Sequence, residues 1–349
     1  MKTLIIRLTI FLNFAIVSNI SAQNFLTDYF NGNKDSLTAE AIKLINMPNP
    51  TFNKPLTPTK VEKTNLTDKS LNHKAVGHYF TVRDRHKIFA YQFPEKSANT
   101  ILLIHGVKSD AAEYLKTAKM LQKATNAEVY AIDLRGHGKS FGKSGDVDYI
   151  NQYADDLADI VGSIRKKKPN GKIVIAGHSM GGGIGLRYAM TNYKEKVDAY
   201  LLFAPLIGHN SPAFRQEPIT NNDSIASFMK IHIARIIGLK MLNEINRHEQ
   251  DSLVVLFFNS PTGTPLKTYT YRANMSMAPN DYVKGLKAVK VPMLVLTGSE
   301  DEAFNAEALK KEVLEYSNGK VHIVNGASHE GILTNPKSFL FIKEWYSKL

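Results

Sequence analysis

Beyond residue 75 the apolar positions fall into two rhythms that take turns along the chain. Short runs of β texture, "GHYFTV" and "KIFAYQF", are followed by "TILLIHG", "EVYAIDLRG", "KIVIAGHS", "AYLLFAP", "MLVLTGSED" and "KVHIVNGASHE". Most of the later runs are continuously apolar rather than alternating, as strands covered on both faces must be. Between them, segments 111–124, 149–165 and 306–316 repeat apolar residues at helical spacing. Strands alternating with helices predict an α/β fold: a mostly parallel sheet flanked by helices. No internal repeat is present.

Two stretches break the rhythm. Residues 23–75 are rich in Asn, Lys, Thr and Pro and read as a polar N-terminal extension, a tether or loosely packed lead-in with a short helix over 37–45. The second break, 207–288, separates one half of the core, 76–206, from the other, 289–349. It contains "SIASFMKIHIARIIGLKMLNEINRH", a long amphipathic stretch that predicts a helix over about 227–243 in an inserted, mainly helical cap. Because the insertion follows Ala204-Pro205 at a strand end, it is expected over the carboxyl edge of the sheet, where ligands bind in open α/β folds. Its apolar residues Phe228, Ile231, Ile236, Leu239 and Leu242 have two readings: an acyl-binding wall, or the face by which the helix packs onto its own domain.

At the front, residues 1–22 place Lys2 and Arg7 around an apolar run followed by small residues ending at Ala22. This is the pattern of a signal peptide cleaved near Gln23, with a periplasmic or secreted product. An uncleaved anchor is the competing reading, weakened by Arg7 and Asn13 in a segment already short for a bilayer. The chain has no cysteine, which excludes a disulfide scaffold, thiol catalysis and thiolate metal sites. Net charge falls from +12 by two when Lys2 and Arg7 are removed, and the excess allows transient contact with an anionic membrane surface. The densest basic run, "RKKK" at 165–168, closes a helix, where cations suit the carboxyl end. No aromatic residues interleave with it as single-strand binding requires, so no nucleic-acid partner is expected.

The chemistry is concentrated where strands end. "IVIAGHSMGGG" carries G-x-S-x-G between an apolar strand and a helix start, the context of a nucleophile elbow at Ser179. A serine hydroxyl needs a base to take its proton and a carboxylate to orient that base. Asp301 follows the strand "MLVLTG" and His329 follows "KVHIV", both after Ser179 in chain order. Glu300 and Glu302 are rivals for the acid. The oxyanion of an acyl transfer needs fixed N–H donors; Met180, opening the helix, supplies one, and Val107 after "IHG" supplies the second, with His105 supporting that loop.

Taken together, "IHG", "DLRGHGKS", "GHSMGG", "LTGSED" and "GASHE" resemble the α/β-hydrolase superfamily, and most of all its monoacylglycerol lipase and lysophospholipase branch, also called serine aminopeptidase-like. The resemblance spans about 76–349 and implies Ser179 as nucleophile, Asp301 as orienting acid, His329 as base, and Val107 with Met180 as oxyanion donors. It also implies a structural role for Asp133, Arg135 and Gly136 in a D-x-R-G turn. "RDRHKI" departs from the branch's usual Asp-Gly hairpin, and residues 23–75 have no counterpart. No cofactor is implied, "GGGIGLR" lacks dinucleotide-loop spacing, and no zincin spacing occurs. The expected substrate is a carboxylic ester, small or lipid. An aminopeptidase is the alternative and needs a cap carboxylate for the substrate amine, from Glu217, Asp223, Glu244, Glu249, Asp251 or Asp281. A non-catalytic binding module is the third reading, and it predicts a damaged triad.

Overall fold

Asn33 caps the first helix among the described residues, α1 (Lys34–Ile45), by accepting hydrogen bonds from the N–H groups of Asp35 and Ser36. The computed structural model, which describes residues 33–52, 75–215, 228–260 and 266–349, continues through β1 (Val76–Thr81), β2 (Lys87–Phe93), β3 (Thr100–Ile104), α2 (Leu115–Thr125) and β4 (Glu128–Ile132). Next come α3 (Gln152–Lys167), β5 (Ile173–His178), α4 (Met180–Met190), β6 (Ala199–Phe203), β7 (Met229–Ile231), α5 (Ile233–Glu244) and β8 (Val254–Phe258). The chain closes with β9 (Thr268–Thr270), α6 (Tyr271–Ser276), α7 (Tyr282–Ala288), β10 (Met293–Gly298), α8 (Ala306–Tyr316), β11 (Lys320–Val324) and α9 (Pro336–Tyr346). It divides into two units, residues 58–221 with 275–349, and residues 1–57 with 222–274.

The larger unit holds an eight-stranded sheet in the order β1-β2-β4-β3-β5-β6-β10-β11. Only β2 runs against its neighbours; from β4 to β11 every pairing is parallel. All residues of β3, β4, β5, β6 and β10 are buried, which is why these strands read as unbroken apolar runs. This is the mostly parallel α/β sheet that the pattern predicts. Register puts Ile104 beside Gly177, His178 beside Phe203 and Gly298 beside Val324. The carboxyl ends of β3, β5, β6, β10 and β11 therefore lie along one edge, and the loops leaving them carry the candidate chemistry.

After β4, the D-x-R-G turn is closed internally. Arg135, 2% exposed, makes a bidentate pair with Asp156 of α3 (2.9 and 2.8 Å) and a second pair with Asp84 (2.8 Å). Asp84 belongs to "RDRHKI", the departure noted in the sequence, where Arg85 takes the positive φ of 69° that the β1–β2 turn demands.

The smaller unit corrects two expectations. Within 33–52 the helix is packed rather than part of a tether: Leu37, Ala41, Leu44 and Ile45 form a buried stripe on α1, which lies against α5. Burial of each large aliphatic side chain contributes about 1.5–3 kcal/mol. The helices approach closely because Gly238 has no side chain; a Cβ there would stand 2.6 Å from the Ala41 carbonyl oxygen. Arg235 Nε donates to the Ile45 carbonyl (3.0 Å) and the His232 ring to that of Met47 (3.0 Å), satisfying acceptors that a helix end leaves open.

The single long helix over 227–243 is the second correction. Its first part is β7, which pairs with β8 and through it β9 in a three-stranded antiparallel sheet, and only 233–244 is helical. "VVLFF" explains this, since a β-branched and aromatic run favours a strand partner. The inserted unit is also narrower than 207–288. Phe214 bridges to Phe304, α7 packs on α4, and Arg187 of α4 donates to the carbonyls of Met275 and Ala278, so 207–215 and 275–288 belong with the sheet. Residues 1–22 lie outside the described residues. Among the described residues no helix is long and apolar enough to cross a membrane.

Candidate active site

Ser179 stands where β5 turns into α4, at φ 52° and ψ −116°, a region costly for any residue with a side chain. The strain is held by the surroundings. The Ser179 N–H donates to the Phe203 carbonyl (3.0 Å), and its own carbonyl accepts from Gly183 (3.1 Å) and Leu206 (2.9 Å). Glycine flanks are obligatory: a Cβ at Gly177 would lie 2.4 Å from the Gly181 backbone, and one at Gly181 would lie 2.4 Å from the Ile104 carbonyl oxygen. The turn presses on β3 and leaves Ser179 8% exposed at the head of the helix.

His329 and Asp301 come from neighbouring strand ends. Imidazole Nδ1 lies 3.0 and 3.1 Å from the two Asp301 carboxylate oxygens, so Asp301, rather than Glu300 or Glu302, orients the ring. Asp301 is itself fixed by the N–H groups of Ala303 (2.9 Å) and Phe304 (2.8 Å). Burial pulls the His329 pKa down, but the hydrogen bond and charge of Asp301, with Glu330 and Glu302 nearby, outweigh it and hold the ring above its ordinary 6.5. The pair engages the ring at Nδ1 and not at Nε2. Glu302 has a different task, accepting the His329 backbone N–H (3.0 Å).

The third loop follows β3. His105 donates Nδ1–H to the Gly106 carbonyl (2.8 Å) and accepts the Leu134 N–H at Nε2 (3.1 Å), which supports the loop as expected; burial beside His137 pushes its pKa down to about 3, so it stays neutral. A Cβ at Gly106 would lie 3.5 Å from Ser179 Cβ, which places Val107 next to the elbow. Met180 is buried at the start of α4, where helix N–H groups lack intrahelical partners. The structure therefore brings Ser179, Asp301, His329, Val107 and Met180 onto adjacent loops of one unit.

Residues 95–336 match the family described as "Serine aminopeptidase, S33". The chain belongs to this family. It is similar to monoglyceride lipase of Homo sapiens, 24% identical over 279 residues that cover 75% of this chain and 86% of that protein. A monoacylglycerol lipase of Mycolicibacterium smegmatis is 33% identical over 107 residues, 31% of this chain and 38% of the relative. The solved monoacylglycerol lipase of Paleococcus ferrophilus superposes with a TM-score of 0.53 at 22% identity, covering 75% of this chain and 98% of that one. An α/β hydrolase from Penicillium sp. sh18 gives 0.55 at 17%, covering 78% and 98%. These superpositions establish the α/β-hydrolase fold.

For a hydrolase of this family, the remaining candidates sort by their partners. Asp133 accepts the N–H groups of Ala111 (2.6 Å) and Lys139 (2.7 Å), and with Arg135 it ties turns together. Of the six carboxylates considered for an amine, Glu217 and Asp223 lie outside the described residues. Asp251 accepts from Asn243 (2.7 Å), Glu249 pairs with Arg247 (2.6 Å), Asp281 caps α7 and Glu244 is on α5. Among the described residues no group of three or more histidine or carboxylate side chains could hold a metal ion.

Sequence reasoning missed three residues. Glu302 entered only as a rival acid, His178 only as the variable position of G-x-S-x-G, and Tyr114 not at all. Tyr114 hydroxyl lies 2.6 Å from His178 Nδ1. Tyr114 belongs to no motif, and only the fold brings its hydroxyl to the elbow.

Proposed function

We propose that this carboxylic ester hydrolase works through an acyl-enzyme on Ser179. The buried Asp301–His329 pair beside the strained Ser179 elbow carries the reading. His329 Nε2 takes the Ser179 proton as Oγ bonds to the ester carbonyl carbon, and the N–H groups of Val107 and Met180 stabilise the oxyanion. Collapse breaks the ester bond, and the imidazolium returns its proton to the departing alcohol. Water, deprotonated by the same imidazole, then releases the acid and restores the serine.

Monoacylglycerols, lysophospholipids or similar acyl esters are the substrate class, supported by the lipase names of relatives at 24% and 33% identity. The apolar stripe of the insertion gives less support than its sequence promised. Leu239 and Leu242 are fully buried on the helix that packs against α1, while Phe228 and Ile231 stay exposed. A second reading, an aminopeptidase, has one observation in its favour. Besides Asp301, the carboxylates of Glu330 and Glu302 act on His329 to raise its pKa, so acidic groups stand near the base where an amine would be welcome.

Nitrophenyl esters from acetate to decanoate, run beside monoacylglycerol and an aminoacyl-nitroanilide, separate the two. The ester reading expects kcat/KM to rise over several carbons, with each buried methylene contributing up to about 0.8 kcal/mol. A flat series with strong nitroanilide turnover, lost on acetylating the amine, would overturn it in favour of the peptidase. We also propose export, with a mature chain beginning near Gln23 and meeting anionic membranes only transiently; an intact mass retaining residues 1–22 in a membrane fraction refutes cleavage.

A further inference from the structure

Three loops around the elbow are threaded by hydrogen bonds that the reaction steps do not use. The Gly106 N–H donates to Tyr114 Oη (2.9 Å), Tyr114 Oη lies 2.6 Å from His178 Nδ1, and His178 Nε2 lies 3.0 Å from the His329 carbonyl oxygen. Proton inventory gives the thread a direction. A carbonyl only accepts, so His178 Nε2 carries the hydrogen; Nδ1 of the neutral ring is then an acceptor, and the Tyr114 hydroxyl donates to it while accepting from Gly106. Tyr114 and His178 are almost wholly buried, at 3% and 1% exposure, and water cannot substitute readily for a lost partner. Desolvation, reinforced by His329, keeps His178 neutral; desolvation, reinforced by Glu330, keeps Tyr114 protonated. The fit is tight as well as directional. A Cβ at Gly106 would lie 3.1 Å from His178 Nδ1 and 3.2 Å from Tyr114 Oη, and the His178 and His329 rings are 4.6 Å apart.

We propose that Tyr114 and His178 are positioning residues that tie the loop bearing the Val107 donor and the loop bearing the His329 base to the nucleophile elbow. The proposal rests on the roles given above to Ser179 and His329. Each link holds a different arm. Gly106 precedes Val107, so the Tyr114 link sets the oxyanion donor; the His178 link to the His329 carbonyl sets the height of the base.

Three variants cut the thread at chosen points. Tyr114→Phe removes one oxygen. In His178→Gln the amide nitrogen overlies Nε2 and keeps the donor to His329 but loses the acceptor for Tyr114, whereas in His178→Asn the amide oxygen overlies Nδ1 and keeps the acceptor but frees the His329 loop. Readouts are kcat and KM for nitrophenyl butyrate, and inhibition by butylboronic acid, which forms a tetrahedral adduct on serine. Tyr114→Phe and His178→Gln are expected to lower kcat by about 10- to 100-fold with KM within about threefold, and to weaken the boronate by a similar factor. Combining the two adds less than about twofold, because they break one link. His178→Asn lowers kcat but leaves boronate inhibition nearer the parent. A folded Tyr114→Phe with unchanged kcat and boronate affinity overturns the proposal, as does a loss of rate that only tracks loss of folded protein by thermal melting. Should Tyr114→Phe fail to fold, the two His178 variants carry the same contrast, and equal effects on the boronate overturn it. Turnover by Ser179→Ala would overturn the underlying catalytic reading and the thread with it. A dead Ser179→Ala beside an unimpaired Tyr114→Phe overturns the thread alone.

Discussion

Two sets of strand-end turns leave the same sheet edge with similar residues and opposite chemistry. The turn after β4 holds Asp133, Arg135 and His137; the loops after β5, β10 and β11 hold Ser179, Asp301 and His329. In the first, the polar side chains are engaged by the protein: Asp133 by two backbone N–H groups, Arg135 through Nε and Nη2 by Asp156 and Asp84, and His137 Nδ1 by the Arg135 carbonyl (2.8 Å). In the second, Asp301 is satisfied by the N–H groups of Ala303 and Phe304 and engages His329 through Nδ1, which keeps the ring's Nε2 out of the pair. The lesson is that an Asp–His–Gly vocabulary does not mark a site. Chemistry needs one group whose hydrogen-bonding capacity is left for a substrate, held by others whose capacity is spent.

The contrast can be broken or sharpened by four measurements. Asp301→Asn should have the largest effect, a fall in kcat of about three to four orders of magnitude, because an amide no longer fixes the tautomer or stabilises imidazolium; stability should change little, and steady-state kinetics beside a melting curve decide it. Arg135→Met is the mirror image. It strands Asp156 and Asp84 and should cost about 3–5 kcal/mol of stability in urea denaturation, with kcat of the remaining folded enzyme within a few-fold. If Arg135→Met instead left stability intact and abolished turnover, the D-x-R-G turn would belong to the active site.

The third measurement is a pH profile. Because Asp301 holds the His329 pKa above 6.5 and only neutral imidazole accepts the serine proton, activity is present above the folded pKa and lost as pH falls through it. The acid limb of kcat/KM should therefore have its midpoint above 6.5, and the residual activity of Asp301→Asn should show that midpoint moved lower, since desolvation persists and the opposing charge is gone. The smallest effect is expected at Glu302. Glu302→Gln keeps an acceptor for the His329 N–H and should change kcat by less than about threefold, whereas Glu302→Ala should cost up to about tenfold by leaving that N–H unmatched. A dead Glu302→Gln would show that the negative charge, and not the bond, is what His329 requires.

Legibility followed the range of the interaction. The buried parallel strands announced themselves because covering both faces leaves only apolar choices, and the elbow did so because Gly177 and Gly181 can be nothing else beside that backbone. The insertion was harder. The periodicity of 227–243 suits a helix, yet Met229–Ile231 is a strand because β8 offers it a partner; pairing across some 25 residues overrode local preference. Likewise α1 was visible as a helix, but its stripe had no evident destination until α5 supplied one.

Local constraints along the chain thus determined the fold class and the strand-end positions of Ser179, Asp301 and His329, because each is imposed by immediate neighbours or by burial on both faces. Tertiary structure alone decided which acid meets His329 Nδ1, since Asp301 and Glu302 differ by one position and only the loop's path turns one to the ring and the other to the backbone. It also decided that Tyr114, eight residues beyond Gly106 and 64 before His178, joins the elbow to its neighbouring loops. A hydrogen bond between groups that far apart leaves no trace in the pattern of either segment; it exists only where the sheet sets their loops side by side.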